Sequence, residues 1–191
     1  MMLAVALLSS APSIGLAEPT ASKQVQATAS RLAQALGMPP EKRALVENRL
    51  AALLQDTGFQ SKDGALGIRG VFAYQMGEGG LLVKFKKGKG LLRLDGESSD
   101  AKVAFKSVTF GAQIGGSSEW GIGLVLGLTT PGAFGGDYSG RSLGATFASS
   151  STAVMELTSK GANRHKVYLI GAASGASADA GGATLTIVVT R

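Results

Sequence analysis

Few side chains in this chain have the types and spacing needed for enzyme chemistry. His165 is the only histidine, so a Ser-His-acid triad would have to use it. It lies in ANRHKVY, a basic turn at a predicted strand start, and the chain has no Gly-x-Ser-x-Gly elbow. Ser99 and Lys102 have the Ser-x-x-Lys spacing, which arises easily by chance in such a chain. We interpret His165 as a solvated turn residue and predict that the protein is not an enzyme.

Metal and nucleotide sites also lack a signature. The chain has no cysteine, one histidine and scattered acids, so no group of residues has the spacing of metal ligands. Neither of the common glycine-rich phosphate-binding motifs occurs. Its glycine pairs are better explained as turns and barrel corners. We therefore predict no catalytic residues, no metal and no cofactor.

The main functional signal is a basic segment. Five cations lie within ten residues with no acid among them: Lys84, Lys86, Lys87, Lys89 and Arg93. The net charge of the whole chain is only +6, so this segment carries nearly all of it. We predict a hairpin in which KGKG forms a tight turn, with Lys87 and Lys89 in the turn and Arg93 on the return strand.

This basic hairpin has two interpretations. Basic residues near an anionic bilayer contribute about 1 kcal/mol each, so five of them could bind the protein to a membrane. The alternative is a solvated hairpin whose lysines discourage aggregation between strand edges. Nucleic acid is a weaker candidate, because Phe85 is the only aromatic residue interleaved with these cations. We predict an anionic lipid or membrane surface as the partner, and no nucleic acid.

The first seventeen residues predict export. An apolar run over residues 3–8 leads into small and turn-forming residues, with Gly15 and Ala17 in the pattern that signal peptidase recognises. Pro12 argues against the alternative, a buried N-terminal helix, and the run is shorter than the roughly 20 residues that span a bilayer. We expect a signal peptide over residues 1–17, cleaved near Ala17, and a periplasmic or secreted protein.

Two helices are predicted after this segment. Apolar residues in 20–36 repeat at intervals of 4, 3 and 4, which places them on one helix face, and Gly37 suits a C-terminal cap. Pro40 suits the first position of a second helix, whose end we place at Gly58. Residues 18–58 are therefore predicted to form a helical hairpin.

The pattern changes after residue 65 to short apolar runs separated by Gly, Ser and Asp, which is typical of strands. We predict strands near residues 67–76, 79–86, 90–95, 101–110, 120–128, 142–149, 152–158, 165–173 and 182–190. Glycine inside strands, as in WGIGLVLGL, marks bends, bulges or close backbone approach, which a small closed barrel requires. The prediction is an α+β protein: two N-terminal helices, then a β-rich, barrel-like antiparallel body over residues 59–191.

Two glycine-containing motifs resemble the SYLF domain over roughly residues 60–190. The first is the Gly-Glu-Gly of YQMGEGGLLVKFKKG, and an aromatic-Gly-x-Gln-x-Gly motif follows about thirty residues later. The matching residues are Gly77, Gly79, Phe110, Gly111, Gln113 and Gly115. The segment LLRLDGESSDAKVAFKS is more charged than the family's pattern. The chain is also similar to EipA-type cell-envelope proteins, which have a Gly-Glu-Gly strand followed by a glycine-rich one.

The SYLF resemblance implies lipid binding, and bacterial members of that family are often exported. It also implies a structural role for the motif residues, with Gln113 as a buried hydrogen-bonding residue. We expect an exported, envelope-associated protein whose basic hairpin contacts anionic lipid. The alternative is a structural or partner-binding periplasmic envelope protein without a lipid ligand. An outer-membrane barrel is disfavoured, because one Trp and three Tyr cannot form aromatic belts at both interfaces.

Overall fold

The protein has three α-helices and eight strands within the residues that the computed structural model describes, which are 19–79, 83–110, 118–128, 130–142, 154–161, 164–171 and 183–190. The helices are α1 (Pro19–Leu36), α2 (Pro40–Gln55) and α3 (Thr57–Lys62). The strands are β1 (Ile68–Gly79), β2 (Val83–Leu94), β3 (Ala101–Phe110), β4 (Ser118–Leu126), β5 (Gly136–Ser142), β6 (Val154–Ser159), β7 (Lys166–Gly171) and β8 (Ala183–Thr190). The predicted signal peptide lies outside the described residues.

The strands form a closed antiparallel barrel in the order β1-β2-β3-β8-β5-β6-β7-β4. Its closing pair is β1 with β4, so each of the eight strands has a hydrogen-bonded neighbour on both sides. Closure removes the exposed edges that an open sheet presents. The predicted fold, α+β with two N-terminal helices before a barrel-like antiparallel body, is confirmed. No helix in the described part of the chain is long and apolar enough to cross a membrane.

The helices begin largely where the sequence predicts, but α2 ends earlier. Gly37 has a φ of 83°, which suits the C-cap predicted for it, and α2 begins at Pro40. The predicted end at Gly58 is wrong, because Asp56 is extended and interrupts the helix. The Asp56 carboxylate accepts a hydrogen bond from the Phe59 amide at 2.8 Å and so caps α3, which begins at once.

Two apolar cores lie on opposite sides of the sheet, because successive strand residues point to opposite faces. On β1, Val71 and Ala73 face the helices, whereas Phe72 and Tyr74 face the barrel interior. The helical side is buried mainly by α1 and α2, which pack on β1, β2, β4 and β7. On β3 and β8, by contrast, outward-facing residues remain exposed. The barrel therefore has one covered side and one open side.

Aromatic rings fill the barrel interior. The Phe72 ring centroid lies 5.6 Å from that of Phe105 and 5.7 Å from that of Phe134. Phe72 pairs across the strands with Gly123 of β4, where an added Cβ would overlap the Phe72 ring. Tyr74 pairs in the same way with Gly121. The prediction that strand glycines in WGIGLVLGL allow close approach is confirmed, and an eight-stranded barrel leaves little more room than its side chains need.

The predicted turn at KGKG is wrong, because β2 runs through it without interruption from Val83 to Leu94. Gly88 and Gly90 lie opposite Met76 and Tyr74 of β1. A Cβ on Gly88 would lie 2.6 Å from Met76 Cγ, and one on Gly90 would lie 2.9 Å from Val103 Cγ2. These glycines are thus required by packing inside the barrel rather than by a turn. The predicted turn over DGESSD, in contrast, joins β2 to β3, with Gly96 at a φ of 81°.

The described part of β5 begins earlier than the strand predicted at 142–149. It starts at Gly136, and residues 143–149 lie outside the described residues. The apolar pattern does not predict a strand at GGDYSG, because Tyr138 is the one large buried side chain in that segment. A Cβ on Gly140 would overlap the side chain of Leu157 on β6, so glycine again permits close strand packing.

Candidate functional site

Four lysines lie together on the open side of the barrel, and we call this surface the basic face: Lys87, Lys89, Lys102 and Lys106. Two are on β2 and two on β3, and all four are exposed. In the antiparallel register Lys87 lies directly opposite Lys106, and Lys89 lies opposite Ala104. The alternation of strand residues puts these positions on the same outer surface. The basic face is thus assembled from two segments that are separated by a turn.

The lysines of the basic face repel one another. Like charges directly opposite on neighbouring strands are destabilising, and Lys87 and Lys106 form such a pair. Residues two apart on a strand are separated by about 7 Å, so Lys89 adds a third charge nearby. Among the described residues, no acid forms a salt bridge with any of the four lysines. An anionic partner would relieve this repulsion.

The basic face continues onto β8, which provides uncharged and apolar surface. Val188 lies opposite Ala104, and its side chain is 46% exposed. Thr186 lies opposite Lys106, and its hydroxyl donates a hydrogen bond to the Asp137 carboxylate at 2.7 Å. The lysines are therefore bordered on this side by one exposed apolar side chain, Val188, and beyond Thr186 by the exposed carboxylate of Asp137.

The structure divides the predicted lipid-binding residues into three groups. Lys87 and Lys89 lie on the basic face. Lys84 and Lys86 are on β2, opposite Thr109 and Ser107, but their side chains are outside the described part of the structure. Arg93 belongs to a different cluster. Lys102 and Lys106 are not among the predicted lipid-binding residues, although both lie in LLRLDGESSDAKVAFKS, the segment that is more charged than the SYLF pattern.

Arg93 is neutralised by an acid, so it does not join the basic face. Its Nε lies 2.6 Å from the Asp100 carboxylate, and another of its nitrogens donates to the Glu97 carbonyl at 3.1 Å. Arg31 of α1 binds the same carboxylate with two nitrogens at 2.7 and 2.9 Å. Asp100 lies outside the basic segment of residues 84–93, but the turn between β2 and β3 brings it back beside Arg93. The two arginines lower the pKa of Asp100, with the hydrogen bond from Arg31 as the largest effect.

We expect the Asp100→Asn variant to be less stable than the parent protein at neutral pH and equally stable in strong acid. A carboxyl whose pKa is lowered by folding stabilises the folded state above its unfolded pKa of about 4, and this contribution is lost as the pH falls through the lowered value. The difference should be about 1 kcal/mol, because Arg31 is half exposed. Urea unfolding of both proteins between pH 7 and pH 2 tests this, and a constant difference would contradict it.

The two motifs that resemble the SYLF domain are only partly described. Gly77 and Gly79 lie in β1, and Phe110 is the last residue of β3. Among the described atoms, a Cβ on Gly77 would approach the Lys87 carbonyl oxygen, at 4.0 Å, and none more closely, so their packing does not require glycine there. Gly111, Gln113 and Gly115 lie outside the described residues, and their predicted structural roles remain predictions.

The interpretation of His165 as a solvated turn residue is wrong, because its side chain is buried at one end of the barrel. Its ring Nε2 lies 2.6 Å from the Tyr138 hydroxyl, which also donates a hydrogen bond to the Phe134 carbonyl. Because that hydroxyl has a single proton, the histidine Nε2 must be the donor to Tyr138. Burial raises the pKa of Tyr138 above its ordinary value. His165 therefore acts as a hydrogen-bonding part of the core.

A second buried polar side chain is Tyr74, in the middle of β1. The Tyr74 hydroxyl donates to the Glu119 carboxylate of β4 at 3.2 Å. Burial, reinforced by the negative charge of Glu119, raises the pKa of Tyr74 well above its ordinary value. Tyr74 therefore stays protonated and serves as a hydrogen-bond donor.

A cluster of charges that includes two buried acids joins α3 to the barrel, and together with a tyrosine hydroxyl we call it the ion cluster: Lys62, Asp63, Glu156, Lys166 and Tyr168. Lys166 Nζ lies 2.5 Å from Asp63 and 3.4 Å from Glu156, and Lys62 lies 3.1 Å from Glu156. The Tyr168 hydroxyl donates to Asp63. Burial lowers the pKa of Lys166, but the two acids together outweigh this and raise it. Two acids balance two bases, so the arrangement links the helices to the barrel.

Comparison with known proteins finds a similar fold but no matching family. No family model matches the chain, and no curated protein matches it. A solved structure described as a β-barrel-like, uncharacterized protein from Brucella abortus is similar, with a TM-score of 0.54 and 19% identity over 89% of this chain and 94% of that one. The virulence-associated protein VapB from Rhodococcus equi has a TM-score of only 0.38, with 11% identity over 63% of this chain and 96% of that one. The chain therefore shares a β-barrel fold with the Brucella protein.

Proposed function

We propose that the protein is an exported, envelope-associated lipid-binding protein that contacts anionic head groups through its basic face. The observation that supports this most is the unpaired cross-strand arrangement of Lys87 and Lys106 beside Lys89 and Lys102. Folding alone gains nothing from four adjacent cations without a described acid among them. An anionic surface would turn this repulsion into attraction.

The size of the basic face fits a membrane better than a small ion. Lys102 and Lys106 are four residues apart on β3, which corresponds to about 14 Å along the strand. Four lysines near an anionic bilayer would contribute about 4 kcal/mol at about 1 kcal/mol each. The exposed Val188 at the border can lie against the head groups. This area can contact several head groups at once.

In the part of the barrel that the structure describes, the packed interior also favours contact at the outer surface. Barrels that enclose a ligand leave a central cavity, whereas Phe72, Phe105 and Phe134 pack against one another inside this one. The motif resemblance to SYLF proteins, which bind lipids, supports the same function. The predicted signal peptide would bring the protein to the cell envelope.

Reversal of the four charges of the basic face is expected to abolish binding to anionic liposomes. The variant carries Lys87→Glu, Lys89→Glu, Lys102→Glu and Lys106→Glu, and binding is measured by co-sedimentation with vesicles of phosphatidylglycerol and phosphatidylcholine. The parent protein should bind at about 50 mM salt and lose most binding at about 500 mM, because the screening length shortens from above 10 Å to below 5 Å. Neutral phosphatidylcholine vesicles should not bind it.

A matched control separates the effect of the basic face on binding from the effect of net charge. Lys23, Lys42, Lys160 and Arg164 lie elsewhere on the chain, and changing all four to Glu alters the net charge by the same amount. This control should retain more binding than the basic-face variant. Equal loss in both variants would overturn the assignment to the basic face. If the parent protein does not bind at low salt, the lipid proposal is wrong, and the partner-binding envelope protein becomes the better hypothesis.

A further inference from the structure

An open cleft of about 660 Å³ lies between α1, α3 and the adjoining ends of β1 and β2. Its floor is apolar and includes the buried side chains of Leu54, Phe59 and Leu94. Val25 of α1 and Ile68 of β1 are partly buried and extend this apolar surface toward the opening. The walls of the cleft are mixed, with apolar residues at its floor and polar residues around them, and its volume is in the range of sites for small organic ligands.

The rim of the cleft carries charges of both signs. Arg31 and Arg93 are committed to Asp100, as described above. Arg69 forms a weaker ion pair. Its Nη1 lies 3.5 Å from a carboxylate oxygen of Asp95, and the side chains of Arg69 and Asp95 are 54% and 69% exposed. Exposed pairs of this kind contribute about 0–1 kcal/mol, so a ligand can exchange with either partner at little cost.

Glu97 adds a second acid to the rim near Asp95. Its side chain is exposed and forms no ion pair with another described residue. Among the described residues of the rim, the available groups are therefore one guanidinium, on Arg69, and two carboxylates, on Asp95 and Glu97. A purely anionic ligand would meet repulsion from both acids. A head group that carries both charges can pair its anion with Arg69 and its cation with an acid.

We infer that this cleft binds a single-chain zwitterionic amphiphile, of the class of lysophosphatidylethanolamine. The phosphate would pair with Arg69, the ammonium with Asp95 or Glu97, and the alkyl chain would cover the floor formed by Val25, Ile68 and their buried neighbours. Arginine suits the phosphate because its planar group can donate two parallel hydrogen bonds. This site is independent of the basic face, which contains only cations on an open surface.

Calorimetric titration of the full chain with palmitoyl lysophosphatidylethanolamine, below its critical micelle concentration, tests the inference. One saturable site per chain is expected. Val25→Glu, which puts a charge over the apolar floor, and Arg69→Glu, which repels the phosphate, should each weaken binding by about tenfold or more. Lys23→Glu is the control, because Lys23 is exposed on the same helix and does not line the cleft.

A second variant and two further ligands complete the test. Thr28 lines the cleft, so Thr28→Phe should fill it and block binding without adding charge, even if Val25→Glu does not fold. Palmitoyl lysophosphatidylglycerol has the same chain without the cation and should bind about tenfold more weakly. Phosphoethanolamine, without the chain, should not bind. Absence of saturable binding, equal affinity for both lipids, or unchanged binding by Thr28→Phe would overturn the inference.

The outcome is distinguishable from that of the vesicle experiment. The variant with four reversed charges on the basic face should bind the single-chain lipid as the parent protein does, because none of those lysines lines the cleft. Conversely, Thr28→Phe should leave vesicle binding unchanged. If one variant abolished both kinds of binding, the two sites would not be independent, and this inference would fail.

Discussion

Replacing Gly123 with alanine is expected to destabilise the protein by about 3 kcal/mol or more, the upper part of the range for overpacked cores. Gly123 lies directly opposite Phe72, whose ring is fully buried at the centre of the barrel. An added Cβ would overlap three ring atoms of Phe72, which has Phe105 and Phe134 on its other sides. These neighbouring rings restrict its movement away from the added carbon. Urea unfolding followed by circular dichroism would measure the loss, or the variant would fail to fold.

Gly132 provides the matched control for this variant. It is exposed, and an added Cβ there would meet no atom of the described residues within 4 Å. Gly132→Ala should therefore change the free energy of unfolding by less than about 0.5 kcal/mol. A double variant sharpens the test: Phe72→Leu should relieve part of the overlap, so that Gly123→Ala costs less in its presence than in the parent protein. If Gly123→Ala were as mild as Gly132→Ala, the tight contact between β1 and β4 would be wrong.

Replacing Asp63 with alanine is expected to destabilise the protein by about 2–3 kcal/mol, because it removes the hydrogen-bond partner of a buried hydroxyl and a partly buried ammonium, while Lys166 keeps its ion pair with Glu156. The Asp63 side chain is fully buried, where it accepts hydrogen bonds from Lys166 and Tyr168. Its removal leaves the ammonium and the hydroxyl beneath α3 without that partner. Because the cluster joins α3 to β7, the helices should lose protection from hydrogen exchange before the barrel does.

Two comparisons show whether this effect arises from the buried charge. Asp95→Ala removes an exposed acid at the end of β2 and should cost less than about 1 kcal/mol. Tyr168→Phe removes one of the two hydrogen bonds and should cost about 1 kcal/mol, with a coupling energy in the double variant because both residues share one contact. A loss below 1 kcal/mol for Asp63→Ala, or no coupling with Tyr168, would contradict the assigned role of the ion cluster.

The two proposed binding sites lie on different parts of the barrel. The basic face occupies β2 and β3 toward the open side, where β8 is also exposed. The cleft lies beneath α1, at the edge of the helical layer. A protein bound to an anionic surface through the lysines would therefore keep the cleft available to single lipid molecules. This arrangement makes the two experiments independent of each other.

Local sequence patterns were sufficient for α1, the start of α2, most strands and the fold class, but not for the end of α2 or for α3. Helical spacing of apolar residues in α1 depends only on neighbours within two turns, and Gly37 and Pro40 specify the ends through their own backbone preferences. The role of a glycine is ambiguous in the sequence, because glycine occurs both in turns and in strands whose inward faces are crowded by neighbouring side chains. Gly96 is in a turn, whereas Gly88 and Gly90 face buried side chains in the middle of a strand. Only the surroundings of each glycine distinguish the two uses.

By itself, the sequence determined the two N-terminal helices, the barrel-like β body and the concentration of positive charge near residues 84–93. The tertiary structure decided which of those charges lie together. The antiparallel register of β2 and β3 adds Lys106 to Lys87, whereas Arg93 is neutralised by Asp100 and held beside Arg31 of α1. It also buried His165 against Tyr138. Strand pairing and ion pairing depend on groups far apart along the chain, so local residue patterns do not specify them.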